Sequence, residues 1–469
     1  MRRVAVAIVI IACGGGTPAS IADPVIDAGS EFSQQEAAAA SDVLSIIVDP
    51  LELSPKFSPA TYDYVLRCAA GPNAVNVTVI DSKGSTTTPV TLSENQDYGV
   101  RGYNIRCLPH DFPPILVGGN GTPTAGWYLV NSQTYAMVLD TNGTPVWYAH
   151  GTAVLDVESL ATNHVSFFPN ATGTFGVNLA AGFQLDWLDL AQTKKVQAVT
   201  TPTDGHELRL LSDGSHLLFT YSLVPHTNLT GLSTFGKDET MVDCSIQRVD
   251  PAGKVTWTWS AADHIDPITE TLDPLTTSTG EIDVFHCNSI DVDSIGNMLV
   301  SLRETNAVYY IDHLTGTIQW KLGGSPTNKD GAAWIQIVND PQVGFSEQHD
   351  ARFAPNGHVT LFDDHCGVQT GVARGVDYYV DVSNKKATFS WQYLGTGQSK
   401  YEGSFRRYSD GESVIGWGYN PKDTRVLTEV DAQGQDIFDV SLGGEVSYRA
   451  IKVPKSELDP SLLRASAGK

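Results

Sequence analysis

"VYYIDHLTGTIQWKLGG", residues 308–324, reads as a strand, a turn led by Asp312 and a second strand that closes on two glycines. The same element returns along the chain. It appears as "AMVLDTNGTPVWYA", "FQLDWLDLAQTKKVQAV", "SIQRVDPAGKVTWTWS", "DYYVDVSNKKATFSWQYLG" and "VLTEVDAQGQDIFDVSLGG". The turn aspartates Asp140, Asp189, Asp250, Asp312, Asp381 and Asp431 stand roughly 50 to 70 residues apart, near the spacing of propeller blades. Between successive copies runs another hairpin: "HELRLLSDGSHLLFTYS", "HCNSIDVDSIGNMLVSLRE", "HDARFAPNGHVTLFDDH" and "GSFRRYSDGESVIGWGY". Two hairpins make four strands, which is one blade. After the last copy, "EVSYRAIKV" is left over as a closing strand. The expected fold class is therefore all-β: a six-bladed β-propeller over residues 109–454, preceded by a small β-sandwich domain.

Composition agrees with that reading. The 469 residues suffice for a large core and more than one domain, and no long stretch carries helical periodicity. The net charge is 30 − 53 = −23, which argues against nucleic acid and anionic membranes as partners. An anionic substrate would need a local focus of Arg and His.

The amino terminus "MRRVAVAIVIIACGGGTPASIADPV" has the pattern of an export signal over residues 1–22. Its apolar core, Val4 to Ala12, is too short for a stable membrane span. Ile10-Ile11-Ala12-Cys13 has the form of a lipobox, with a lipid anchor on Cys13; Ser20-Ile21-Ala22 has the form of an ordinary cleavage site. The expected location is periplasmic, cell-surface or secreted. A leader follows at 23–41, and 455–469 reads as a tail. Within 42–108 a series of short strands suggests the sandwich, and "LELSPKFSPATYDYVL" resembles the opening of bacterial cadherin-like modules. Cys68 and Cys107 share this segment and are the expected disulfide. Cys244, Cys287 and Cys366 are scattered, without metal-ligand spacing, and read as buried apolar residues.

Three of the intervening hairpins open with histidine: Gly205-His206-Glu207, Phe285-His286-Cys287-Asn288 and Gln348-His349-Asp350. The first strand of each blade lines the central channel, so three blades present an imidazole at one level. Strand alternation puts His286 and Asn288 on one face, and Arg303 ends the partner strand. Three histidines can hold zinc, but neither HExxH nor H-x-H spacing supports a metal site. As an anion site the set fits well, because imidazolium and guanidinium groups are donors. His365 occupies the place at the end of its hairpin that Arg303 holds in its own.

The blocks "FHCNSIDVDSIGNMLVSLRETNAVYYIDHLTGTIQWKLGG" and "FSEQHDARFAPNGHVTLFDDH" are similar to the arylsulfotransferase family, propeller enzymes that move a sulfuryl group between phenols without a nucleotide donor. The similarity runs over about residues 115–454 and is strongest from His286 to His365. It implies a phenolic sulfate donor, a phenol acceptor and no cofactor or metal. The family's H-x-N motif falls on His286 and Asn288, its following arginine on Arg303, its transiently sulfated histidine on His349 and the histidine of an earlier blade on His206. His365 has no counterpart and is expected only at the edge of the substrate. The rival reading is a non-catalytic binding propeller or a propeller hydrolase. A formylglycine sulfatase needs C-x-P-x-R, which "CLPHD" at Cys107 lacks.

Overall fold

A computed structural model describes residues 42–171, 177–178, 182–367 and 371–469; the expected export signal, Cys13 and the expected leader lie outside the described residues. Around a central axis stand six innermost strands. In chain order they are β1 (Leu155–Ala161), β2 (Thr203–Leu210), β3 (Cys287–Val292), β4 (His349–Ala354), β5 (Ser404–Arg407) and β6 (Ala450–Pro454). Each begins a four-stranded antiparallel run, and neighbouring inner strands touch, so the ring closes from β6 to β1. The fold is a β-propeller.

The closing strand is β6, which pairs with Gly126–Asn131 from the beginning of the propeller. Joining the two ends of the propeller in one sheet satisfies edge hydrogen bonds that an open ring would leave unpaired. Leu116–Gly118 makes a second closure on the outer strand Asp436–Ser441. One departure from simple blades is Ala333–Val338, which pairs in parallel with Ile318–Gly323 and Lys386–Leu394 and fuses two outer edges.

The turn aspartates do the work that the repeat implied. Asp140 Oδ1 accepts the N–H of Asn142 and of Thr144, and Asp250, Asp312, Asp381 and Asp431 accept backbone N–H groups in the same manner. A carboxylate that satisfies two amides fixes the turn and so the strand register. Asp189 departs, lying in a 3₁₀ turn, Leu188–Leu190, without a side-chain cap.

Ahead of the propeller, two three-stranded sheets enclose a core that includes Tyr64, Tyr103 and Ile105. Cys68 and Cys107 are joined there by a disulfide. Cys244 and Cys287 form a second disulfide, which corrects their reading as buried thiols. They are 43 residues apart in sequence but come from adjacent blades, 6.1 Å apart at Cα. Only Cys366 remains free among the described cysteines. The tail is ordered: Pro460–Ser466 is a helix capped by Asp459, and Arg464 bonds Asp63 of the sandwich at 2.7 Å. Among the described residues no helix is long and apolar enough to cross a membrane.

Candidate active site

The beginnings of all six inner strands meet in a cavity of about 840 Å³. Leu155 comes from β1, His206 from β2, His286 from just before β3 and His349 from the first position of β4. Glu402 precedes β5, and Tyr448 precedes β6. Arg303 and Glu347 complete the polar wall; Leu272, Pro274 and Leu275 from the 261–285 insertion lie at its apolar rim. One end of the propeller axis is therefore a pocket with three imidazoles and one guanidinium.

Each imidazole is held by a carboxylate at Nδ1. His206 Nδ1 lies 2.8 Å from both oxygens of Asp204, His286 Nδ1 lies 2.8 Å from Asp283 and His349 Nδ1 lies 2.7 Å from Asp364. Such a partner fixes the ring plane and places the proton on Nδ1, which turns Nε2 away as the reacting nitrogen. At His349 a second contact settles the tautomer. The Glu402 backbone N–H donates to His349 Nε2 at 3.3 Å, so Nε2 carries a lone pair. The ring centroids of His206 and His286 are 5.0 Å apart, and those of His286 and His349 are 6.5 Å apart.

Burial sets the charge states. It holds His286 down at about 4 against the pull of Asp283, and it holds His349 well below the ordinary histidine value, with Arg303 adding to the effect. Burial raises Glu347 to about 7 against the opposing Arg303, and raises Glu402 to about 8 against His206. Arg303 stays charged although it is buried, because Glu304 and Glu347 flank its guanidinium; Nη2 also donates to the Lys400 carbonyl at 3.0 Å. The site is thus richer in carboxyl groups than its histidines alone suggest.

Two expected residues stand outside the cavity. His286 adopts a left-handed φ of 48° immediately before β3, which breaks the alternation that was to put Asn288 beside it. Asn288 is instead fully buried behind the wall, donating to the Gln348 carbonyl at 2.8 Å and so bracing the residue before His349. His365 is also buried, its Nδ1 3.0 Å from Asp363, which in turn binds Arg374. The adjacent pair Asp363-Asp364 splits between the two histidines.

Below the imidazoles the axis is filled by charge. Arg352 binds Glu207 at 2.7 Å and Asp350 at 2.8 Å, Arg406 binds Glu158 and Asp350 at 3.0 Å, and Arg449 binds Glu207 at 2.9 Å. Asp350 therefore belongs to this floor and does not orient His349. The buried pairs close the channel, so the cavity opens at one end.

As for a metal, the described residues whose ligand atoms approach one another closely enough are Asp283, His286 and Glu304. Asp283 is spent on His286 Nδ1 and Glu304 on Arg303. The sequence reading missed Asp204, Asp283, Asp364, Glu347, Glu402 and Tyr448. D-x-H at 204–206 and D-x-x-H at 283–286 were visible as short-range signals, but nothing local ties Asp364 to a histidine fifteen residues earlier.

Comparison with known proteins adds the family. The model described as "Arylsulfotransferase (ASST)" matches residues 186–443, more than half of the chain. A search of curated proteins finds no match. Solved structures resembling the chain include a protein of unknown function from Bacteroides caccae, 13% identical, with a TM-score of 0.42 over 70% of this chain and 99% of that one. A periplasmic gluconolactonase from Pseudomonas aeruginosa is 11% identical, with a TM-score of 0.39 over 70% and 99%. Virginiamycin B lyase from Staphylococcus aureus is 8% identical, with a TM-score of 0.36 over 70% and 89%.

Proposed function

The chain belongs to the arylsulfotransferase family, and from that premise we propose that it is an exported enzyme of six blades that passes a sulfuryl group from a phenolic sulfate to an acceptor phenol through a sulfated His349. The observation that carries this reading is the tautomer of His349. Its Nδ1–H faces Asp364, and its Nε2, in the cavity that Arg303 also lines, carries the lone pair, which accepts the long Glu402 N–H contact that sulfur would displace.

Sulfuryl transfer resembles phosphoryl transfer in having a loose transition state, so catalysis rests on placement and on donors aimed at the equatorial oxygens. Nε2 of His349 bonds to sulfur as the bond to the aryl oxygen breaks, which divides one exchange into two steps. Sulfation makes the ring cationic in character, and the Asp364 carboxylate on Nδ1 stabilises it. Arg303 faces the sulfuryl oxygens. His206, its Nδ1 held by Asp204, lines the wall beside them. His286 is held neutral and shapes the wall beside them. Asn288 acts from behind by bracing Gln348. The apolar rim of Leu272, Pro274 and Leu275 suits an aromatic ring, and the paired histidines and arginine suit its anionic substituent.

The test is His349→Asn, assayed with a chromogenic aryl sulfate with and without added phenol. Phenol release and transfer should both vanish, since no covalent intermediate can form. Quenching the wild type with donor alone should leave a sulfate-sized mass increase on the peptide containing His349. A folded variant exchanging sulfate at a near wild-type rate returns the chain to the binding-propeller reading.

A further inference from the structure

A departing phenolate needs a proton, and the imidazoles do not readily supply it. In the neutral form each spends its N–H on a carboxylate, and His349 Nε2 itself accepts an N–H. Of the carboxyl groups on the cavity wall, Glu304 and Glu347 are paired with Arg303 and Asp273 accepts from Asn306, whereas Glu402 has an oxygen without such a partner. We propose that Glu402 is a further catalytic residue, carrying a proton between its carboxyl group and the phenolic oxygen in both half-reactions; this rests on the sulfohistidine reading above.

Several independent features of Glu402 support the assignment. It sits before β5, where the blades carrying His206, His286 and His349 deliver an imidazole, and it lines the same cavity. Its Oε2 is buried and has no hydrogen-bond partner in the protein. A buried carboxylate with an unpartnered oxygen is costly, whereas a carboxylic acid there keeps its hydrogen for an incoming oxygen. The residue is locked in place by an unusual backbone, with φ at +71°, followed by Gly403 at +106°. A side chain on Gly403 would strike Phe362, its added Cβ coming within 2.4 Å, so the pair of residues has little freedom to rearrange. That backbone also sets the Glu402 N–H on Nε2 of the nucleophile. The charged groups around the carboxyl are His206 and Asp364, with Arg303, Glu347 and Lys400 on the same wall. Burial favours the neutral acid up to about pH 8, against the opposing influence of His206.

The steps balance. First, Nε2 of His349 bonds to sulfur, the sulfur–aryl oxygen bond breaks and the Glu402 O–H gives its proton to that oxygen; a neutral phenol leaves and Glu402 is ionised. Then the Glu402 carboxylate takes the proton of the acceptor phenol as its oxygen bonds to sulfur. The sulfur–nitrogen bond breaks, and both residues return to their starting forms.

The experiment compares wild type and Glu402→Gln on p-nitrophenyl sulfate, whose phenolate leaves readily, and on phenyl sulfate, whose phenolate needs protonation. The variant should lose about 10²–10⁴-fold in kcat/KM on phenyl sulfate and less than about tenfold on p-nitrophenyl sulfate. The wild type should show an alkaline fall near pH 8 on phenyl sulfate that the variant lacks. Equal losses on both donors, or an unchanged pH profile, overturn the proposal. If Glu402→Gln does not fold, the wild-type profiles alone suffice: an alkaline fall no steeper on phenyl sulfate than on p-nitrophenyl sulfate overturns it. Peptide mapping separates the two ideas. Sulfate trapped on His349 with equal donor losses rejects Glu402 alone, whereas no sulfate on His349 rejects the underlying reading.

Discussion

Replacing Asp364 by Asn tests the site without altering its shape. The carboxylate accepts the His349 Nδ1–H at 2.7 Å and is itself fully buried; the other acceptor at that nitrogen, the Glu347 carbonyl, lies farther away, at 3.2 Å, and carries no charge. An amide of the same size can present N–H to Nδ1, which would move the ring proton to Nε2. There it meets the Glu402 N–H at 3.3 Å, two donors facing each other, and the nucleophilic lone pair is gone. Loss of a carboxylate that holds a catalytic imidazole in its working tautomer costs about 10³–10⁴-fold in rate. That corresponds to about 4–5.5 kcal/mol in the barrier, at ~1.36 kcal/mol per factor of ten. The fold should tolerate the change, because it removes a charge from a buried position. The neighbouring Asp363→Asn supplies the control. Asp363 accepts the Ser346 and His365 N–H groups and pairs with Arg374 at 2.9 Å, so its loss should cost about 3–5 kcal/mol of stability while leaving the chemistry of surviving folded protein nearly intact. The assay is kcat for chromogenic aryl sulfate, with thermal melting in parallel. The same logic gives an acid limb in the wild type. Burial raises Asp364 well above the usual carboxylate range, with Arg303 opposing, and its protonation would reverse the hydrogen bond to His349 and abolish activity as the pH falls. An Asp364→Asn protein within tenfold of wild-type kcat refutes the argument.

Glu347 and Glu402, raised by burial to about 7 and about 8, contribute stability that is complete below the unfolded glutamate value of about 4.5. That contribution is lost as the pH rises through 7 and 8, so the melting temperature should decline from about pH 5 to 9, and a flat profile there would contradict the burial described. Cys287→Ser opens a 43-residue covalent loop and should cost about 4 kcal/mol on the chain-entropy estimate, measured by denaturant unfolding against wild type under non-reducing conditions. Removing the sandwich, residues 42–108, should leave transfer kinetics within a few-fold, since no cavity residue lies there. It should nevertheless lower the melting temperature, because Arg106 and Asp63 bind the terminal helix through Arg464 and Arg67 donates to the Phe112 and Pro113 carbonyls.

Much of this protein is written locally. An aspartate accepting two amides of its own turn, alternating side chains on either side and a terminal strand with no partner in sequence each act over a few residues, so the propeller, its closing strand and the sandwich can be read from order alone. The imidazoles of His206, His286 and His349 could be placed too, because equivalent positions in repeated blades meet at the axis. What surrounds them could not. Cys244 and Cys287 meet only because adjacent blades bring their strands together. Asn288 leaves the cavity because His286 takes a left-handed backbone, which no alternation rule anticipates. Asp364, next in sequence to His365, serves His349 instead, since hairpin pairing sets His349 opposite Phe362 and so brings Asp364 to its ring. Glu402 reads as an ordinary surface acid beside a glycine until the ring closes and buries one of its oxygens against the nucleophile's pocket. Charge states at this site depend on burial and on neighbours drawn from separate blades, and neither exists before the ring of strands has closed.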